Sequence, residues 1–340
     1  MAIRRLVAIG ASSGGIDALR QLAATLPTNF PVPICVVVHT PPQAPGLLHV
    51  ILNRAGTLPA VAARNDERLV AGRIYVAPPD YHLLIEPGVV RLSKGPRENR
   101  FRPAIDPLFR SAAQVYGPGA IGVILTGNLD DGTSGLRTIK QLGGLAVVQD
   151  PRDALYPSMP QSALAHVNVD HIVPLADIAP LLLRLASDPV DDDARKPLPK
   201  EVEVEVKIAR EHNAIDAGLL EVGDPSSYTC PECHGVLLRM KEADPMRFRC
   251  HTGHAYSSES LLAAVSENIE ASLWTAIRAL EEGALLLEHM ADDSRKRNNG
   301  DAAARLASQV ASARADAEAV RKVATDREGL TSGVQSSAEV

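Results

Sequence analysis

The sequence predicts an α/β fold, a doubly wound and mostly parallel sheet with antiparallel additions, followed by a small cysteine/histidine module and an α-helical hairpin. Three observations carry this. Five short apolar runs recur through the first 175 residues, most of them without polar alternation, as expected of strands buried on both faces of a parallel sheet. Helix-like stretches separate these runs, and strands alternating with helices build a layered sandwich. Beyond residue 185 the runs stop, and a Cys/His cluster and two helical stripes take their place.

The expected strands are residues 6–9, 34–38, 120–125, 145–148 and 171–173, and the expected helices are 16–26, 47–54, 106–116, 135–141 and 162–166. Between the second and third strands lie three β-rich segments, 74–77, 82–86 and 89–92. Pro87-Gly88 forms a turn between the last two, so the insert is expected to add antiparallel strands beside the sheet. The organisation read from the chain is an α/β domain over 1–187, then a charged, proline-containing linker over 188–227. A Cys/His module follows over 228–257, then a helical hairpin over 258–328 and a Ser/Gly-rich, disordered tail over 329–340. Within the linker, residues 200–213 fit either a short helix or an ordered connection. The hairpin rests on apolar residues at helical spacing, Leu262, Val265, Ile269, Leu273, Ile277 and Leu280, then Leu306, Val310, Ala313, Ala317 and Val320. The polar stretch 292–301 separates the two stripes.

Composition limits the function. Aromatics are only 3% of the chain, so the core must rest on Val, Ile, Leu and Ala. A net charge of −6 argues against general nucleic-acid or acidic-membrane binding. No apolar run reaches the ~20 residues of a spanning helix. The four apolar residues 6–9 near the start are too few for a signal-peptide core, so a cytoplasmic location is expected. Cys35 stands alone while Cys230, Cys233 and Cys250 cluster; in a reduced compartment this points to metal rather than disulfides.

Gly10-Ala11-Ser12-Ser13-Gly14-Gly15 follows the first strand and enters a helix. Such a turn suits a nucleotide phosphate or a nucleophile exposed beside oxyanion-stabilising N–H groups. A short-chain dehydrogenase would also need a Tyr with Lys four residues on; no tyrosine of the chain has one, and the glycines are not spaced Gly-x-Gly-x-x-Gly. The nucleophile reading gains from topology. His39 follows the second strand, and Asp131 follows the third in 125-LTGNLDDG-132. In a parallel sheet the carboxyl ends of the strands share one edge. Ser12, His39 and Asp131 can therefore converge as nucleophile, base and orienting carboxylate. Arg97, Arg100, Arg102 and Arg110 read either as a basic patch that steers an acidic partner or as an ordinary solvated face.

The chain resembles the protein-glutamate methylesterases of bacterial chemotaxis, the CheB family. The resemblance rests on 7-VAIGASSGG-15, Val38-His39, 76-VAPPDYH-82, 100-RFRPAIDPLF-109 and 122-GVILTGNLDDG-132, and it covers about residues 1–187. It implies a doubly wound α/β domain with Ser12 as nucleophile, His39 as base and Asp131 as its partner. It also implies hydrolysis of glutamyl methyl esters, or of glutamine amides, on a chemoreceptor-like protein. Backbone groups near Ser13 and Gly14 would be the oxyanion donors, with Asn128, Arg100 and Arg102 as candidate substrate contacts and no catalytic cofactor. The family commonly has Met-Gly where this chain has Asn128-Leu129, and Thr where it has Ser13. The receiver domain of the chemotaxis enzymes has no counterpart before Ser12, so a standalone type is expected.

Cys230-x-x-Cys233 and Cys250-x-x-x-His254 read as a zinc ribbon, two ligand pairs supplying the tetrahedral S/N set of a structural Zn²⁺. His234 and His251, each next to a cysteine, suit the fourth position less well. The hairpin suits packing or self-association. A rival reading from another class is a signalling adaptor that keeps the fold and assembles partners, such as a methyltransferase, through ribbon and helices.

Overall fold

The computed structural model describes residues 4–326. In order, the α/β region contains β1 (Leu6–Ala11), α1 (Gly15–Thr25), β2 (Ile34–Val38), α2 (Leu48–Ala55), β3 (Ala60–Ala62) and β4 (Ile74–Val76). It continues with β5 (His82–Glu86), β6 (Val89–Ser93), α3 (Ile105–Tyr116), β7 (Ala120–Ile124), α4 (Thr133–Gln141), β8 (Leu145–Gln149), α5 (Ser158–His166), β9 (His171–Val173) and α6 (Leu175–Ser187). Seven strands form one sheet in the order β3-β4-β2-β1-β7-β8-β9, and every pairing in it is parallel.

The absence of polar alternation has its expected cause. Val7, Ile9 and Ala11 of β1 face a core shared with Leu19, Leu22, Leu52 and Leu182 of α1, α2 and α6. Leu6 and Ala8 face the opposite core, with Phe109, Leu136, Ile139 and Met159 of α3, α4 and α5. Alternate side chains leave a strand on opposite faces, and here both faces are covered.

The insert differs from expectation. Of its three segments only β5 and β6 pair antiparallel, as a separate two-stranded sheet. Ile74–Val76 instead joins the main sheet, parallel to β2 and to the unforeseen β3. A three-residue strand carries no periodicity that reveals the direction of its partner. The helix α6, also unforeseen, holds Pro180 inside its first turns.

The span 188–227 includes α7 (Lys200–Ala209) and α8 (Leu219–Val222), which settles the helix-or-connection ambiguity over 200–213. Val204, Val206 and Ile208 of α7 are fully buried or nearly so. Next come four antiparallel strands in sequential order, β10 (Gly223–Thr229), β11 (Val236–Met240), β12 (Arg247–Cys250) and β13 (Ala255–Ser257). Their small core unites Leu238 and Met240 with Val204, Ile208, Leu219 and Val222. All of this belongs to one compact unit reaching to Leu261.

The second unit is the helical hairpin. Two long helices, α9 (Ser258–Lys296) and α10 (Gly300–Asp326), bury Ile277, Ala284 and Ala291 on one and Ala303, Val310 and Ala317 on the other. The interval is seven residues on both, as a coiled-coil seam requires. Helix α9 runs to Lys296, so the break is shorter than the polar stretch 292–301 suggested. The expected disordered tail at 329–340 lies outside the described residues. No described helix is long and apolar enough to cross a membrane.

Candidate active site and metal centre

Strand register explains why residues far apart in sequence meet. Ala11 pairs with Val38, so Ser12 and His39 occupy the next rung of two neighbouring strands. Gly10 pairs with Ile124 on the other side, and the Ser12 N–H donates to Thr126 O at 3.0 Å. The loop after β7 then brings in Asp131. His39 Nδ1 lies 3.0 Å from Ser12 Oγ, and its Nε2 lies 2.7 Å from Asp131 Oδ2. The three residues named from sequence stand in one hydrogen-bonded line.

Asp131 is buried at the amino end of α3. Its Oδ2 accepts from the Ile105 N–H at 2.6 Å, and its Oδ1 from the Asp106 N–H at 3.3 Å and from Asn99 Nδ2 at 2.9 Å. Burial alone would raise its pKa, but His39, the Ile105 N–H and the Asn99 amide outweigh that and hold it below the usual carboxylate range. An ionised carboxylate only accepts, so Nε2 of His39 must carry its proton, which leaves the Nδ1 lone pair for the Ser12 hydroxyl. The Phe101 ring stacks on the imidazole at 3.8 Å and 3° and holds its plane.

Two glycines shape the turn. Gly14 precedes α1 at φ 73°, a left-handed conformation that side chains disfavour. A Cβ on Gly127 would come within 2.8 Å of Ser12 Cβ. Among the described residues the Ser13 and Gly14 N–H groups donate to no protein acceptor, and they lie at the start of α1, where backbone donors and the helix dipole favour negative charge. Asn128 Nδ2 donates to Ser13 Oγ at 3.1 Å. Leu129, beside it, sits at φ 60°.

The basic patch does not survive intact. Arg110 is fully buried and pairs with Glu98. Arg102 donates to Asp80 Oδ1 at 3.0 and 2.6 Å and to the Lys94 and Gly95 carbonyls, so in this structure its donors fasten loops. Arg97 is 3.8 Å from Glu232. Sequence reasoning missed the buried ionic cluster that Arg110 joins. Arg247 Nη1 donates to both Glu205 oxygens at 2.6 and 2.8 Å, and Arg249 Nη2 to Glu98 and Glu205 at 2.9 Å each. The cluster therefore ties α3, α7 and β12 together. Arg247 and Arg249 alternate on β12 toward one face, the only signal the sequence offered.

Cys230, Cys233, Cys250 and His254 bring their ligand atoms within 4.8 Å of one another, so these four can hold a metal ion. Cys233 and Cys250 Sγ are 3.6 Å apart, and His254 Nδ1 is 3.7 Å from Cys230 and Cys250 Sγ. Those are the edges of a tetrahedron with metal–ligand bonds of about 2.0–2.3 Å. His254 Nε2 lies 3.4 Å from Glu232 Oε2, and the Tyr256 hydroxyl donates to Glu232 Oε1 at 3.0 Å. Such outer partners fix the orientation of a ligand histidine.

Comparison with known proteins agrees with the resemblance. The family model described as CheB methylesterase matches residues 7–182. A Leptospira interrogans protein named "Putative protein-glutamate methylesterase/protein-glutamine glutaminase" is 45% identical over 180 residues, covering 53% of this chain and 93% of its own. The "Protein-glutamate methylesterase/protein-glutamine glutaminase 4" of Anaeromyxobacter dehalogenans is 40% identical over 188 residues, 54% of this chain and 52% of its own. The crystal structure of the Thermotoga maritima CheB methylesterase catalytic domain superposes with a TM-score of 0.51 at 35% identity, covering 53% of this chain and 98% of that one.

Proposed function

The chain belongs to the CheB methylesterase family, and from that premise we propose that it is a serine hydrolase acting on glutamyl γ-methyl esters and glutamine amides of a chemoreceptor-like protein in the cytoplasm. The observation that carries this is the bridge His39 makes between Ser12, at 3.0 Å, and the buried Asp131, at 2.7 Å.

Ser12 Oγ attacks the ester carbonyl while its proton passes to Nδ1 of His39. The tetrahedral oxyanion meets the Ser13 and Gly14 N–H groups. The C–O bond to the methoxy group breaks as Nδ1 returns the proton to that oxygen, and methanol leaves; from an amide, ammonia leaves. Water then adds to the acyl-serine, giving a proton to Nδ1, and the proton passes to Ser12 Oγ as the glutamate departs. Asp131 stays ionised throughout and stabilises the imidazolium. Asn128 contributes by holding the Ser13 side chain, and Arg100 remains the candidate for attracting acidic receptor surface.

The Cys230–Cys233–Cys250–His254 set would hold a structural Zn²⁺. All four corners are protein ligands, so no position is left open for substrate, and the acyl transfer uses only groups of the chain. On this reading the α/β catalytic region is 1–187, and the ribbon runs to 257 from its first strand, which begins at Gly223.

A serine-directed fluorophosphonate, followed by peptide mapping, tests this. Labelling at Ser12 is expected; a folded chain inert to the probe would instead support the adaptor reading.

A further inference from the structure

The ribbon's last strand touches the candidate active site through one side chain that the mechanism above does not use. Asn99 is 2% exposed, and all four hydrogen-bonding positions of its amide are occupied. Oδ1 accepts from the Ser257 N–H at 2.9 Å and from Ser260 Oγ at 3.1 Å. Nδ2 donates to Asp131 Oδ1 at 2.9 Å and to Asp106 Oδ2 at 3.1 Å. The partners leave the amide one orientation: a backbone N–H can only donate, and ionised carboxylates can only accept.

The segment around Asn99 is strained and held from the same side. Asn99 and Arg100 have φ 49° and 77°, and left-handed backbone costs a non-glycine residue roughly 1–2 kcal/mol. Strand β13 secures it: the Asn99 N–H donates to Ala255 O at 2.8 Å, and the Ala255 N–H to Arg97 O at 3.1 Å. Ser257 Oγ also donates to Asp130 Oδ1 at 2.6 Å and accepts the Ser260 N–H at 3.0 Å, capping α9. Two residues beyond Asn99, Phe101 stacks on His39. One short segment thus bears on both Asp131 and His39, and residues from beyond the α/β region fix it.

We propose that Asn99 is a positioning residue for Asp131, and that Ser257 and Ser260 of the carboxy-terminal extension complete the active site by holding its amide. This rests on the reading of Ser12, His39 and Asp131 as the catalytic set. A lost hydrogen bond to a charged group is worth about 1.5–3 kcal/mol, which is roughly a ten- to hundredfold change in rate. Ser260 Oγ bonds the Asn99 amide and not Asp131 itself, so on this proposal the two substitutions should not be additive.

The test uses the full-length, metal-loaded chain with a small neutral fluorophosphonate, whose rate of attachment to Ser12 needs no receptor. Asn99→Ala should slow attachment roughly ten- to hundredfold and Ser260→Ala by less. The double variant should be no slower than Asn99→Ala, and Ser260→Thr, which keeps the hydroxyl, should restore the rate. In methyl ester hydrolysis the loss should fall on kcat, with KM unchanged. Proton NMR should show the downfield His39 Nε2–H signal displaced in both single variants, and this signal persists in Ser12→Ala. Wild-type attachment by Asn99→Ala, independent and multiplicative effects, or an unmoved His39 signal would overturn the proposal. If Asn99→Ala does not fold, Ser260→Ala against Ser260→Thr decides alone, and equal rates refute it. Labelling that persists at another serine in Ser12→Ala would instead remove the catalytic reading, while the NMR signal still reports on Asn99.

Discussion

The Ser12 site and the Cys230 site are held together by opposite means. The first draws on three parallel strands whose two faces are both packed, so its residues are fixed by long-range burial. The second sits on short antiparallel strands with a core of few side chains, and its four ligands come from two local turns. What the ribbon lacks in apolar core is offset by the buried ionic cluster and, on the proposed reading, by the metal its four ligands would hold. The contrast teaches that the α/β region can be perturbed one side chain at a time, whereas the ribbon should fail as a unit.

Removing the metal should have the largest effect. Metal binding supplies about 10–16 kcal/mol to isolated zinc-finger peptides. A strong chelator, or Cys230→Ser, should therefore unfold β10–β13, seen as loss of amide-exchange protection there before loss in β1 or β7. Simultaneous loss everywhere would contradict the contrast. Asp131→Asn comes next, leaving the fold intact but lowering kcat by about 10⁴-fold, the size seen when a triad carboxylate is neutralised. Glu205→Ala should cost about 3–5 kcal/mol in urea unfolding, because Arg110, Arg247 and Arg249 would then share Glu98 with one buried negative charge fewer.

A smaller effect concerns pH. Burial, with Glu259 nearby, pushes Asp130 up to about 8. An acid with a raised folded pKa contributes stability that is complete below its unfolded value and is lost as pH rises through the folded one. Between pH 5 and 8 the melting temperature should thus fall as pH rises, and Asp130→Asn should flatten that slope. An identical slope in the variant would remove Asp130 as its source. The smallest effect is a gain. Leu129 at φ 60° pays for a conformation glycine adopts freely, so Leu129→Gly should stabilise by about 1 kcal/mol, read as a higher urea midpoint.

The legible and illegible parts divide along the same line. Ile34–Val38 and Leu145–Gln149 were readable because strands buried on both faces are continuous apolar runs. His39 and Asp131 were readable because each follows such a run. The Cys/His cluster was readable because its spacing is local. Residues 74–77 were read as part of an antiparallel insert, whereas Ile74–Val76 pairs parallel, because the direction of a strand's partner is not written in three residues. Arg110 read as surface because nothing local reveals that Glu98, Glu205, Arg247 and Arg249 surround it. Asn99 lay just outside the 100–109 motif, and its partners at 106, 131, 257 and 260 meet only in the folded chain.

Every step of the proposed hydrolysis depends on Ser12 as its nucleophile. Methanol release from a methylated receptor fragment, compared between the wild-type chain and Ser12→Ala, tests it most directly. Release by the wild type and a fall of several orders of magnitude in the variant are expected. Equal release from both would move the nucleophile away from Ser12 and contradict that dependence.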